Sequence, residues 1–372
     1  MPDDKSVERR RQTLQKLELM DRYWGAWCTI LAQTTGRHHF CPARLWLIDT
    51  HAGSGTHQSD TDPDGTVAGT PTRAALVARA TQRRFPDVQV AVRATDIRKS
   101  IAEELRIALA PYKGTPPAGV DIDVRSIDWV KAVPRIAEEI AQEGHTHAGK
   151  AGSRVHEHRS LWFIDPFGPE SIDHAVIQTL PVGAEVIINL DLMGVVRLAG
   201  KARAGEDEVA ALLDRVYGSR IWDEIARRRD PQLPLADALA ESFTRWQFRK
   251  AYALRATGSQ DRAMIHLAES PGAVGPFEQA VKTSMKAGTI AAGRTMTTME
   301  KDKAAKALFE KFRGLTLTTD LMAIAFAGYK LDQLRWICTI AETSGYGEWD
   351  GARRTMAWYS ERRRPGGPSL GL

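Results

Sequence analysis

The sequence has little cysteine, no long apolar run and no strong excess of one charge. Its three cysteines, Cys28, Cys41 and Cys338, are scattered, which argues against a disulfide framework and against a zinc site built from cysteines. No apolar run reaches the roughly 20 residues of a membrane-spanning helix, and residues 1–5 are too polar to begin a signal peptide. We therefore expect a protein of the reducing cytoplasm, with no membrane partner and no bound metal.

Length and charge set broad limits on the class of protein. The 372 residues suffice for one large domain or two ordinary ones, and 43% of them are hydrophobic, as a globular core requires. The formal net charge is +5. This mildly basic balance is compatible with nucleic acid as a partner and does not by itself identify one.

An acid and two glycines follow the first apolar run. Residues 45–48 are apolar and bounded by a turn signal, which predicts a strand buried on both faces. Asp49 ends this strand, and Gly53 and Gly55 allow a close approach of backbone to a ligand because they carry no Cβ. The carboxylate suits the aminoacyl end of S-adenosylmethionine and would repel a pyrophosphate. A tight turn without a ligand is an equal alternative, and the missing third glycine disfavours a nicotinamide-dependent oxidoreductase.

Two further acids follow predicted strands at residues 88–95 and 120–125. Asp96 stands where nucleotide-binding sheets hold a ribose through its hydroxyls. Asp128 is placed to accept a hydrogen bond from an adenine amino group. Each acid could instead serve only as the N-cap of the helix that follows it.

The strand predicted at residues 161–164 runs into Asp165, Pro166, Phe167 and Gly168. Pro166 fixes the backbone and donates no N–H, so the turn is rigid. The Asp165 carboxylate and the Pro166 carbonyl can accept two hydrogen bonds from an exocyclic amine, and Phe167 can stack on a planar base. The alternative is a plain strand-to-helix turn capped by Asp165.

The remaining pattern predicts a doubly wound α/β protein. We expect strands at 185–190, 251–256 and 263–268, with the last two forming a hairpin, and a loop over 58–70. Helices are expected at 6–32, 70–83, 97–110, 129–142, 171–180, 206–229 and 238–248. Basic and aromatic side chains interleave in the last of these at Arg245, Trp246 and Phe248, which suits either a nucleic-acid strand or a half-buried helix.

Four histidines, at positions 145, 147, 156 and 158, form two His-x-His pairs. Such pairs can ligate metal, but they lie in a polar stretch over 143–160 that contains no cysteine. The sequence favours a variable loop there.

Beyond residue 271 the pattern is helical and basic. We expect the doubly wound α/β domain to span 1–290 and a helical, basic extension to span 291–372, for which a winged-helix module is one candidate form.

The chain from Lys16 to about residue 286 resembles the three-Cys-motif partner (TcmP) proteins, a branch of the S-adenosylmethionine-dependent methyltransferase superfamily. The resemblance is carried by Lys16 with Tyr23 and Trp27, by residues 48–55, by residues 69–71 and by residues 164–168. It implies a Rossmann-like, seven-stranded, mostly parallel methyltransferase sheet with its last strand antiparallel and helices on both faces. It also implies a three-Cys-motif protein as a partner, although the cysteines here are not that motif.

The resemblance assigns roles to named positions. The implied cofactor, S-adenosyl-L-methionine, would be bound by Lys16, Asp49, His51, Gly53, Gly55, Asp96 and Asp128. Asp165, Pro166, Phe167 and Gly168 would be catalytic and occupy the place of an Asp-Pro-Pro-aromatic motif. Phe167 replaces the second proline and Gly168 the aromatic residue, a departure that bears on adenine-N6 chemistry more than on cofactor binding.

Two hypotheses from different classes follow. The first is a methyltransferase that acts on an exocyclic nitrogen of a nucleic-acid base. The second is a non-catalytic scaffold that keeps the methyltransferase fold and binds a three-Cys-motif protein or nucleic acid.

Overall fold

The structure is a computed structural model that describes residues 4–34, 44–58, 66–115, 119–150, 159–254, 262–291, 309–310, 316–318, 347–350 and 355–358. The chain divides into two compact units, residues 1–285 and 286–372. The roles expected for 1–290 and 291–372 stay predictions. No helix in the described part of the chain is long and apolar enough to cross a membrane.

Strands and helices alternate along the chain. The strands are β1 (Arg44–Asp49), β2 (Thr56–Gln58), β3 (Thr66–Ala68), β4 (Gln89–Asp96), β5 (Asp121–Ser126), β6 (Arg159–Ile164), β7 (Ala184–Asp191), β8 (Phe248–Leu254), β9 (Arg262–Ala268), β10 (Thr316–Thr318), β11 (Gly347–Asp350) and β12 (Thr355–Trp358). The helices are α1 (Asp4–Thr34), α2 (Thr70–Arg84), α3 (Lys99–Leu109), α4 (Trp129–Lys150), α5 (His174–Gln178), α6 (Leu192–Arg203), α7 (Asp207–Tyr217), α8 (Ile221–Ile225), α9 (Gln232–Ser242) and α10 (Pro271–Ala291). Two short 3-10 helices lie at Ala110–Tyr112 and Pro169–Ser171.

Seven strands form one sheet in the order β5-β4-β1-β6-β7-β9-β8. The sheet is parallel except for β9, which runs antiparallel to both β7 and β8. This order and the reversed last strand define the seven-stranded methyltransferase fold and confirm the expected fold class. The chain moves outward from β1 to β5 and then returns to β6, so strand order reverses between β1 and β6 and leaves a crevice at their carboxyl ends.

Helices cover both faces of the sheet because its strands alternate apolar side chains toward both sides. On one face, α1, α2, α3 and α10 pack on a core that includes Leu47 and Phe163. On the other face, α4 to α9 pack on a core that includes Trp46 and Trp162. The crevice is therefore flanked by α1 and α2 on one side and by α4 on the other.

Several local predictions were wrong. The loop expected over 58–70 contains β3, which pairs with β2 as a short antiparallel hairpin. The helix expected over 206–229 is two helices, because Gly218 adopts a left-handed conformation with φ +67° at the end of α7. Helix α4 continues to Lys150 and takes in part of the stretch expected to be a loop. His145 and His147 lie on that part of α4, whereas residues 151–158, with the second histidine pair, lie outside the described residues.

The basic and aromatic segment near residue 245 is not a helix. Helix α9 ends at Ser242 and β8 begins at Phe248. Trp246 is fully buried and donates its Nε1–H to the Ala184 carbonyl at 2.7 Å. Arg245 donates to the Gln178 carbonyl at 3.1 Å and to the carbonyls of Leu180 and Pro181. Trp246 is thus part of the core and Arg245 is bound by main-chain carbonyls, so the half-buried helix that the sequence favoured over 243–248 is wrong, and the nucleic-acid alternative stays a prediction.

The second unit contains a small antiparallel sheet in the order β10-β12-β11. A helical, basic extension was expected here, with a winged helix as one candidate form, and these three strands were not predicted individually. Beyond residue 291, most of the helical pattern expected from the sequence lies outside the described residues. The winged-helix form stays a prediction.

Candidate active site

Three acids at the carboxyl ends of the central strands point to one face of the sheet. Asp49 pairs in register with Ala94 of β4 and with Phe163 of β6. Asp96 and Asp165 lie two residues beyond those partners. Because side chains alternate along a strand and register partners share a face, the three carboxylates face the same side. Phe163 belongs to the core beneath α1, α2 and α3, so this is the side of those helices.

Asp165 is held by an ammonium and an amide. Lys16 of α1 places its Nζ 2.5 Å from Asp165 Oδ2, and Asn189 donates its Nδ2–H to Asp165 Oδ1 at 2.6 Å. Asn189 stands beside Asp165 because Ile164 and Ile188, one residue earlier in each strand, pair in register. Burial raises the pKa of Asp165, but the Lys16 charge and the hydrogen bonds outweigh it, so the net pKa is lowered. Asp165 is therefore an ionised carboxylate at neutral pH.

Asp49 differs from Asp165, because it is a buried acid with one oxygen that accepts no hydrogen bond from the described residues. It is 1% exposed. Its Oδ1 accepts the His51 N–H at 3.2 Å, whereas Oδ2 has no hydrogen-bond partner in the described part of the chain. Burial raises the pKa of Asp49 to about 7, and the Asp165 charge adds to this while the nearby Thr70 hydroxyl and Lys16 oppose it. A ligand that brought a positive charge to this carboxyl group would stabilise its ionised form.

The two glycines of the first turn are not equivalent. Gly53, with φ +63°, has open space where a Cβ would lie. Gly55, with φ +79°, is buried, and a Cβ there would lie 2.6 Å from Leu105 Cδ1 and 3.1 Å from Thr72 Oγ1. The Gly55 carbonyl also accepts the Gly69 N–H and the Thr72 hydroxyl, both at 2.7 Å. Gly53 thus borders the crevice, while Gly55 fastens the turn to α2 and α3.

His51 stands among the carboxylates. Its Nδ1 lies 2.8 Å from Thr50 Oγ1, and its ring lies 5.6 Å from that of Trp129. Burial lowers the pKa of His51 to about 4, although the charges of Asp165, Asp96 and Asp128 each act to raise it. The imidazole is therefore neutral at pH 7.

Asp96 is tied to Arg98 rather than to a helix end. Its Oδ1 accepts the Arg98 backbone N–H at 2.9 Å and Nε at 3.1 Å, and its Oδ2 accepts Nη2 at 3.1 Å. Burial raises the pKa of Asp96, but the bonds from Arg98 outweigh it and the net pKa is lowered. The Arg98 guanidinium also lies 4.9 Å from the ring centre of Phe167. Arg98 thus spans the mouth of the crevice from the β4 side to the β6 side.

Asp128 precedes α4 as its N-cap, since its Oδ1 accepts the Val130 N–H at 2.9 Å. Its side chain is half-buried. The capping alternative is therefore realised at Asp128, and its influence on His51 places its charge at the crevice as well.

The turn after β6 exposes one large apolar side chain. Pro166 and Gly168 are buried, whereas Phe167 is 74% exposed. Gly168 starts the short 3-10 helix, with its carbonyl accepting the Ser171 N–H at 3.1 Å. No helix begins at Asp165, so this acid is not a cap. Phe167 is presented at the rim, and Gly168 shapes the turn beneath it.

Two polar side chains beyond Asp165 were not among the predicted site residues. Asn189 is fully buried, and its Oδ1 has no hydrogen-bond partner within the described ranges. Arg262, at the start of β9, is close enough for its charge to lower the pKa of Asp165. Asn189 could have been found from its place at the end of an apolar strand. Arg262 could not, because only the antiparallel pairing of β9 brings it to this edge.

The side chains at the crevice are chemically suited to S-adenosylmethionine. The buried and unsatisfied oxygen of Asp49 suits the ammonium of an amino acid moiety, and the open space at Gly53 leaves room for a ligand beside the turn. The acids at the ends of β4 and β5 suit hydroxyl and amino donors. Among the described residues, no group of three or more His, Cys, Asp or Glu side chains is arranged to hold a metal ion.

Comparisons with known proteins show distant likenesses only. No protein-family model and no curated protein matches the chain. A Legionella pneumophila protein of the DUF519 family is similar over 74% of this chain and 92% of its own, at 11% identity and TM-score 0.37. A geranyl diphosphate methyltransferase in complex with GPP and sinefungin is similar over 66% of this chain and 78% of its own, at 12% identity and TM-score 0.26. A putative Zn-dependent alcohol dehydrogenase from Rhodobacter sphaeroides, at 12% identity and TM-score 0.26, covers 69% of this chain and 99% of its own.

Likenesses of this degree carry no argument about activity. The fold class is defined by the strand order and the reversed last strand, which are those of the seven-stranded methyltransferase fold. The TcmP resemblance stays a prediction within that class.

Proposed function

We propose that the protein is an S-adenosylmethionine-dependent methyltransferase that acts on an exocyclic nitrogen of a nucleic-acid base. The observation that carries this proposal is the placement of Asp49, Asp96 and Asp165 on one face of the sheet at the crevice. The bound cofactor would supply an electrophilic methyl group. Asp49, His51 and Gly53 would hold its amino acid end, Asp96 its ribose and Asp128 its adenine.

The acceptor would bind on the side of β6. Asp165 is ionised, so it can accept a hydrogen bond from the amine, as can the Pro166 carbonyl. Two such acceptors orient the nitrogen lone pair, and orientation of this kind supplies much of a transfer reaction's acceleration. Phe167, which is exposed at the rim, would stack on a flipped or single-stranded base.

The neutral His51 ring would supply a proton acceptor beside the amino acid end of the cofactor. Its pKa of about 4 keeps the ring unprotonated at neutral pH, so it adds no positive charge beside an incoming cationic ligand. Lys16 would stay near the two acids and keep Asp165 ionised while the acceptor binds.

The test is transfer from labelled S-adenosylmethionine to total RNA, DNA and protein, compared side by side. We expect label in nucleic acid for the wild type and a loss of about 100-fold or more for Asp165→Asn. Asp87→Asn makes the same chemical change at an exposed turn before β4, and it should leave transfer unchanged. Label in protein alone would contradict the substrate class, and no label in any pool would contradict the activity.

A second candidate, a non-catalytic scaffold for nucleic acid or for a three-Cys-motif protein, is favoured by one observation. Both Asp165 oxygens and both Asp96 oxygens already carry partners from this chain. Methyl transfer that depends on Asp165 would exclude the scaffold, whereas partner capture by a protein that binds no cofactor would support it.

A further inference from the structure

The acceptor side of the crevice continues beyond Asp165 as a row of three polar side chains. Asp165 follows β6, Asn189 lies near the end of β7, and Arg262 begins β9. Asn189 pairs in register with Met264, two residues from Arg262, so Asn189 and Arg262 share the face on which Asp165 lies. The three strands are adjacent in the sheet. The row therefore carries a carboxylate, an amide and a guanidinium in sequence.

Asn189 has a fixed orientation with an unused acceptor. Its Nδ2 donates to Asp165 Oδ1 at 2.6 Å, and a flipped amide would instead set two oxygens against each other. Its Oδ1 is therefore the atom left over, and it is buried without a donor from the described residues. A buried acceptor without a partner destabilises the folded chain. Such an atom at a crevice favours a ligand that supplies an N–H or O–H.

Arg262 supplies the cation of this row. It makes no hydrogen bond and no ion pair with any described residue, and its register partner Asp191 uses Oδ1 to accept the Gly194 N–H at 3.0 Å as the N-cap of α6. The side chain is half-buried and close enough to influence Asp165. A guanidinium in this state is suited to a phosphate, which it can bind through two parallel hydrogen bonds.

We propose that Asn189 and Arg262 form the acceptor subsite, in which Arg262 binds a backbone phosphate next to the target nucleotide and Asn189 Oδ1 accepts a hydrogen bond from its base. The proposal rests on the proposed function for the identity of the neighbouring cofactor. It commits to single-stranded nucleic acid, because the row joins a phosphate-binding group to an exposed aromatic ring at Phe167, on which a base can stack. A peptide acceptor would need neither feature.

The test measures binding of fluorescein-labelled mixed-sequence oligonucleotides of about 12 nucleotides, both RNA and DNA, by anisotropy with S-adenosylhomocysteine present. Arg262→Gln should weaken binding about 3- to 10-fold and reduce the slope of log affinity against log salt by about one. Arg262→Lys should retain most of the affinity because it keeps the charge. Asn189→Leu should weaken binding without changing the slope, since it removes an uncharged contact.

The matched control is Arg228→Gln, which removes the same charge from an exposed position after α8 on the other face of the sheet. It should leave affinity within about twofold of the wild type. A salt slope unchanged in Arg262→Gln, or an equal loss in Arg228→Gln, would overturn the subsite. A preference for RNA or for DNA identifies the source of the phosphate. If the wild type binds neither oligonucleotide, the proposal is overturned.

Calorimetric binding of S-adenosylhomocysteine distinguishes a failure of the acceptor subsite from a failure of the proposed function. Cofactor binding that is intact in every variant, together with no oligonucleotide binding by the wild type, would remove the subsite alone. Oligonucleotide binding that depends on Arg262, together with no cofactor binding, would keep the subsite and remove the methyltransferase.

Discussion

Lys16 and Asp165 are 149 residues apart in the chain, and their charged groups lie 2.5 Å apart at the crevice. The contact joins α1 to the end of β6 and brings an ammonium close enough for its charge to act on Asp49 as well as on Asp165. The first helix is thus part of the site, as well as a cover for the sheet.

Removal of Lys16 should leave the Asp165 carboxylate, whose side chain is only 14% exposed, without its cation. We expect Lys16→Met to lose about 2 kcal/mol or more of unfolding free energy at pH 7. Because Asp165 has a lowered pKa when folded, its contribution to stability is present above its ordinary pKa of 3.8 and is lost as pH falls through the folded value. The deficit of Lys16→Met should therefore shrink in acid.

Denaturant unfolding of Lys16→Met, Asp165→Asn and the double variant measures this coupling. The double variant should lose less unfolding free energy than the sum of the losses of the two single variants, because it no longer contains the Asp165 charge that Lys16→Met leaves uncompensated. Strictly additive losses would show that the contact contributes nothing to folding.

Ionised Asp49, the form suited to a cationic ligand, should lower the free energy of unfolding. Its folded pKa is raised to about 7 from 3.8, so the folded chain binds a proton that the unfolded chain has released. Stability should fall as pH rises between these two values. Asp49→Asn should consequently be more stable than the wild type at pH 8, by about 1–3 kcal/mol.

Thermal and urea unfolding at pH 5 and pH 8 provide the check. The advantage of Asp49→Asn should be larger at pH 8. An advantage that is the same at both values would mean that Asp49 titrates normally in the folded protein.

The buried cluster at Glu185 should anchor α1. Tyr23 and Trp27 of α1 donate to the two oxygens of Glu185, Trp27 Nε1 at 2.9 Å, and His266 Nε2 lies 2.6 Å from Oε1. All four side chains are buried. Glu185→Ala leaves three polar groups without their acceptor, so we expect a loss of about 3–5 kcal/mol. Tyr23→Phe removes one donor and should cost about 1–2 kcal/mol, as urea unfolding can measure. Equal losses for the two variants would contradict the role of Glu185 as the shared acceptor.

The two glycines of the first turn should respond differently to alanine. Gly55→Ala meets Leu105 and has a left-handed backbone, so it should lose about 2–4 kcal/mol. Gly53→Ala has open space around its Cβ and carries only the backbone penalty of about 1 kcal/mol. Its methyl group would project into the crevice, so its cofactor affinity should fall while its fold is kept. Unfolding and calorimetry on the same two proteins give both values, and the reverse ranking of stabilities would contradict these assignments.

Much of the fold was predictable because the central strands are short apolar runs that end in acids. The runs before Asp49, Asp96 and Asp165 marked β1, β4 and β6, and the periodic apolar stripe marked α1. The break at Gly218 was missed because only the left-handed backbone of that residue distinguishes two helices from one. The residues after Ser242 were misread because tertiary packing buries Trp246 and binds Arg245 to main-chain carbonyls, which overrides the local pattern.

The site was predictable in part for the same reason. Acids at strand ends are visible in sequence, and so Asp49, Asp96 and Asp165 could be named in advance. Lys16 was also expected in the site, from the TcmP resemblance, and Asn189 ends an apolar strand, but their contacts with Asp165 depend on the packing of α1 and on strand register. Arg98 could not be named in advance, because it reaches Asp96 through a local backbone turn. The distinct environments of Gly53 and Gly55 likewise depend on where α2 and α3 lie.

The most direct measurement is calorimetric binding of S-adenosylmethionine to the wild type and to Asp49→Asn at pH 8. We expect one site per chain in the wild type and a loss of affinity of about tenfold or more in the folded, more stable Asp49→Asn. No binding by the wild type at millimolar cofactor, or equal affinity of the two proteins, would contradict the assignment of this crevice as the cofactor site.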